Sequence, residues 1–164
     1  MARLVRALTL GMALVCWLVL APAGAAQAAA DKTAGGGGTI YVPLYARVFV
    51  SDRGVSIGLA ATLSLRNTDP RSAILIRSVR LHDGAGALAR QCLEAPRELP
   101  PLASLRLSVE MPAKPADGDP CLLVEWEAKG PVHQPHVEAA LIGAAGQLGI
   151  SFLSPGQPLG PPRP

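Results

Sequence analysis

The chain is 164 residues long, about one domain's worth. It carries 15 Lys plus Arg against 12 Asp plus Glu. Two of the basic residues, Arg3 and Arg6, lie in an apolar leader, so the rest is nearly neutral and gives no electrostatic case for nucleic acid or an anionic membrane surface.

The leader has a short basic start, an uninterrupted apolar run over residues 7–20, helix breakers at Pro22 and Gly24, and a small-x-small pattern at Ala26-Gln-Ala28. These are the parts of a secretory signal peptide, here residues 1–28. An uncleaved anchor is the alternative, since residues 7–30 carry no charge and are long enough to span a bilayer. Cys16 follows Val15, which does not suit lipid attachment. Export removes Cys16 with the leader and leaves Cys92 and Cys121 in an oxidising compartment, where an even count predicts one disulfide.

Residues 29–38 end in four glycines and read as a flexible linker. Residues 39–154 carry the fold. Residues 39–50 are β-rich, and Pro43 divides them into two short pieces. After a turn at Asp52-Arg-Gly54 comes the clearest strand, with Ile57, Leu59, Ala61, Leu63 and Leu65 at every second position and small or polar residues between. Asn67-Thr-Asp-Pro70 ends it as a turn. Residues 71–83 form the next strand, whose alternation slips at Arg77-Ser78 and predicts a bulge. A weaker strand over residues 87–93 carries Cys92. Pro96, Pro100 and Pro101 mark a crossing loop. Residues 105–111 alternate cleanly again.

Cys121 opens a strand in which Leu122, Val124 and Trp126 face inward and Glu125 and Glu127 outward. Residues 136–142 and 148–153 read as a final hairpin. Residues 155–164, rich in proline and glycine, read as a disordered tail. Seven to eight short strands without a helical period predict an all-β fold, an antiparallel immunoglobulin-like β-sandwich, with a small closed barrel as the alternative.

Tyr41-Val-Pro-Leu-Tyr45, Leu63-Ser-Leu-Arg-Asn-Thr-Asp-Pro70, Val124-Glu-Trp126 and Ile142-Gly-Ala-Ala-Gly-Gln-Leu-Gly-Ile-Ser-Phe152 resemble a bacterial family known as domain of unknown function 3124. The resemblance runs from about Tyr41 to Ser154. It implies an exported or lipid-anchored protein and lends no catalytic residues.

Chemistry-bearing patterns are sparse. The sequence sets no Gly-x-Ser-x-Gly between a strand and a helix, as a nucleophile elbow requires, and has no Ser-x-x-Lys pair. Outward carboxylates such as Glu125 and Asp69 are the one route to a hydrolase. His133-Gln-Pro-His136, with His82 as a third imidazole, is the candidate zinc or copper site. Gly143, Gly146, Gln147 and Gly149 form a candidate ligand loop, because glycines at this spacing can turn backbone N–H groups toward an anion. A plain hairpin loop is the competing reading. The sequence therefore predicts a non-enzymatic exported binding module of the cell envelope, without a cofactor, whose partner is an envelope protein or a small ligand. A small periplasmic metal-binding module using His82, His133 and His136 is the alternative. Contact with the membrane is expected only if the leader stays uncleaved.

Overall fold

A computed structural model describes residues 32–33, 36–51, 54–111 and 118–160. The signal-peptide reading lies outside these residues. Among them the chain is all strand and turn, with no helix.

Two antiparallel sheets form the body. The first runs β14 (Gln157–Leu159), β2 (Gly37–Pro43), β10 (Cys121–Glu127), β6 (Ile74–His82) and β7 (Leu88–Gln91), with β8 (Arg97–Leu99) also pairing β6. The second runs β13 (Leu148–Pro155), β12 (His136–Ala145), β5 (Ala60–Arg66) and β9 (Ser104–Val109). Two small ribbons complete the fold: β3 (Arg47–Phe49) with β4 (Ser56–Gly58), and β1 (Lys32–Thr33) with β11 (Val132–His133).

The period-two residues explain why these strands become two sheets around one core. Ile40 and Val42 of β2, Leu122, Val124 and Trp126 of β10, and Ile74, Ile76, Val79 and Leu81 of β6 are buried. They join Ala61, Leu63 and Leu65 of β5 and Val137, Ala139 and Leu141 of β12 in a single hydrophobic cluster. Each strand thus buries one face and leaves its alternate residues to the outside. The bulge falls where the sequence slips: Glu125 pairs with Ser78 but Trp126 pairs with Ile76, so Arg77 is the extra residue.

Three local expectations change. The first main strand starts at Gly37, because Gly37 and Gly38 pair with Glu127 and Trp126. Residues Arg97–Leu99, expected within a loop, form the edge strand β8. Gln157–Leu159, expected in a disordered tail, pairs with β2 opposite Tyr41, Ile40 and Thr39. β8 and β14 are three residues long and lie on edges, where a proline such as Pro158 is tolerated.

Candidate functional site

The turn at residues 67–72 is a buried polar knot. Asn67 and Asp69 are among the few buried polar residues. Asn67 Nδ2 donates to the carbonyls of Ser72 (2.8 Å), Leu99 (3.1 Å) and Pro100 (3.0 Å), and its Oδ1 accepts from the Asp69 N–H. Asp69 Oδ1 accepts from the N–H groups of Arg71 and Ser72, and Oδ2 from that of His133. The Thr68 hydroxyl donates to the Gln134 carbonyl. Three loops are thereby tied together, which makes the knot a structural device.

The Arg71, His133 and Ser72 N–H groups, Arg71 foremost, hold the Asp69 carboxyl below the usual carboxylate range against the opposing pull of burial. A folded-state pKa below the unfolded value of about 4 means that the contribution is complete above that value and lost as pH falls through it toward the folded pKa. Acid unfolding of the Asp69→Asn variant is therefore expected to show a shallower dependence of stability on pH below about 4 than the parent. Urea titrations across that range measure it. Equal slopes would show that Asp69 is not a source of acid lability.

The outward carboxylates are already engaged. Glu125 pairs with Arg80 and accepts from the Ser78 hydroxyl at 2.9 Å, and Glu127 pairs with Arg77.

The three histidines are not brought together. His82 ends β6, with Nδ1 3.0 Å from the Gly86 carbonyl oxygen. His133 lies at the opposite end of the fold, where its N–H meets Asp69 beside the start of β6. A nine-residue strand separates these ends by roughly 26 Å. His136 opens β12 and lies 3.3 Å from Glu138. Among the described residues no group of three or more His, Cys, Asp or Glu is placed to hold a metal, so the metal reading is corrected.

The expected disulfide is also corrected. Cys92 and Cys121 are both free thiols. The Cys92 N–H bonds the Val79 carbonyl on one edge of β6, whereas Cys121 pairs with His82 across the other edge. Strand β6 thus lies between them, and two strand spacings alone amount to roughly 9–10 Å, beyond the Cα separation a bridge can span. Cys92 packs against the core, while Cys121 alternates with the buried Leu122 and faces outward. Burial pushes both thiols up, countered at Cys121 by a hydrogen bond from Tyr41. A thiol reagent under denaturing, non-reducing conditions is expected to titrate two thiols on residues 32–164. A Cys92–Cys121 linked peptide would contradict this arrangement.

The glycine-rich loop is a tight hairpin turn. Ala145 pairs with Leu148, leaving only Gly146 and Gln147 in the turn. Gly146 has φ +63°, and among non-glycine residues described only Leu102 has a positive φ, as expected of a type II′ turn with glycine first. Gly143 sits inside β12 and Gly149 inside β13, so the four residues do not form one concave cradle.

What the hairpin does present is an apolar edge. After Glu138 the chain has no charged residue until Arg163. Ile142, Leu148 and Leu153 are exposed at 59%, 50% and 62%. Among the described residues β13 pairs only with β12 and is an outer strand of its sheet. A groove of about 430 Å³ runs beside it, lined by Pro43, Tyr45, Val48, Phe152, Leu153 and Ser154 among others. The Tyr45 and Phe152 rings meet edge to face at 5.7 Å, and the Ser154 hydroxyl bonds the Pro43 carbonyl. A second cleft, of about 520 Å³, lies between residues 72–75 and the loop 128–132. It is lined in part by Glu98, Lys129 and the already paired Glu127. The sequence signal that marks the β13 edge is the charge-free run itself.

These features define an all-β protein of two antiparallel sheets in which β13 is an apolar outer strand with no second partner strand among the described residues. The chain belongs to the family described as "Protein of unknown function (DUF3124)", whose profile matches residues 37–159. No curated protein matches. Among solved structures the chain is similar to one titled "Crystal Structure of Thermotoga maritima 1070", at 13% identity and a TM-score of 0.42, covering 74% of this chain and 94% of that one.

Proposed function

We propose that the protein is a non-enzymatic binding module of the bacterial cell envelope, an immunoglobulin-like sandwich that engages a protein partner along β13. The observation that carries this reading is the edge itself: an uncharged strand with exposed Leu148 and Leu153 beside an apolar groove. Strand addition to such an edge gives affinity through main-chain bonds and selectivity through the flanking pocket. The leader supports export, and the family resemblance agrees with it.

A photo-reactive residue at Leu153 in the full exported chain tests the reading, with Ser108 on the exposed face of β9 as the control. Cross-linking in the producing bacterium is expected from position 153 and not from 108. Equal labelling at both positions, or no adduct at 153, would overturn it.

A further inference from the structure

The phase of the β12–β13 ladder determines which backbone groups face outward. A two-residue turn makes its flanking pair a hydrogen-bonded one, so Ala145 and Leu148 exchange bonds and every second pair after them does too. The Gly156 N–H bonds the Val137 carbonyl at 2.8 Å, which agrees with that phase eight residues further on. Gly149, Ser151 and Leu153 therefore turn their N–H and C=O groups away from β12, on a side where no strand of the described residues pairs with them.

The other outer strands of the two sheets are defended. β9 carries Arg106, β7 carries Arg90, β8 carries Arg97 and Glu98, and β14 carries Pro158. Charge and proline are the usual guards of a strand edge, and β13 has neither before Pro155.

We infer that β13 pairs antiparallel with β13 of a second copy of this chain, about a two-fold axis at Ser151. The inference rests on the reading of β13 as the binding edge and names its occupant. Three features fit a second copy. Centring on Ser151 sets Gly149 opposite Leu153 of the other copy, twice by symmetry. A side-chain atom at Gly149 would meet nothing within 4 Å, and Leu153 is largely exposed, so the first offers the space that the second fills. On the other face Ile150 meets Phe152 of the second copy, next to Tyr45. Because residues 139–162 are uncharged, the axis brings no like charges together. Joined this way, two four-stranded sheets become one of eight strands.

The test uses the full exported chain in light scattering at roughly 100 µM, where a pairing of even modest affinity is populated. The parent is expected to be dimeric. Ser151→Lys places two cations on the axis, and the mass is expected to halve with the near-ultraviolet signal of Trp126 unchanged. An equal mixture of Ser151→Lys and Ser151→Glu is expected to restore the dimer. In a chain with Cys92→Ala and Cys121→Ala, Ser151→Cys meets its own copy, and mild oxidation is expected to link it at least tenfold faster than Leu153→Cys, which faces Gly149 instead. A monomeric parent, a dimeric Ser151→Lys protein, or equal linking at the two cysteines would overturn the inference. A monomeric parent that still cross-links at Leu153 to a different protein removes the second copy and leaves the binding edge. A monomer with no adduct removes both.

Discussion

Replacing Asn67 with alanine is expected to lower the unfolding free energy by about 3–4 kcal/mol, measured by urea denaturation. The amide spans three segments. Its two N–H protons serve three carbonyls, those of Ser72, Leu99 and Pro100, and its oxygen receives the Asp69 N–H. Alanine would leave these groups unpaired at a site where Asn67 is only 2% exposed. Each buried group left without a partner costs about 1–3 kcal/mol, moderated where water can enter. The damage should extend beyond the turn, because the Asn67 N–H also bonds Ala103 and the Leu102 N–H bonds Asp69. Hydrogen exchange of residues 97–103 should therefore accelerate in the variant. A loss below about 1 kcal/mol would mean that the knot follows from the fold and does little to hold it.

The second large effect separates two glycines of one motif. A Cβ at Gly143 would stand 2.7 Å from the Gly58 carbonyl oxygen and Leu59 Cδ2, and 2.8 Å from Ile57 Cγ2. Gly143 is where β12 runs against the junction between β4 and β5, and a backbone oxygen cannot step aside as a side chain can. Gly143→Ala is expected to cost about 1–3 kcal/mol through overpacking. Gly149→Ala, with nothing near its Cβ, is expected to cost well under 1 kcal/mol. If both changes were equally harmless, the close approach of β12 to β4 would be wrong. If both were equally damaging, the open space at Gly149 would be wrong, and the seat proposed for Leu153 of a second copy would be lost with it.

Much of the fold was legible because a half-buried strand writes its orientation at every second residue. Ile57, Leu59, Ala61, Leu63 and Leu65 are all buried, as their spacing predicts, even though the stretch is divided into β4 and β5 at Leu59. The slip at Arg77-Ser78 located the bulge for the same reason. Partnership was not legible. Cysteine parity carries no information about which strand lies between two thiols, and here β6 does. The histidines were grouped by chemistry, yet His82 ends β6 and His133, in β11, lies near the other end of that strand. Asn67 reads locally as a turn residue, whereas most of its bonds reach carbonyls more than thirty residues away. The β13 edge left a trace in the chain as missing charge, but only the sheet order shows that the uncharged strand is also an outer one.

The pairing of β14 with β2 bears on how the domain would respond to force. Leu159 lies opposite Thr39, so the first main strand begins beside the place where the last strand ends. Tension applied between the two ends would not shear the central strands against one another. Applied at Gly37 and Leu159, it would peel the three residues of β14 from β2 one hydrogen bond at a time. A body with this geometry suits a pendant held from one side.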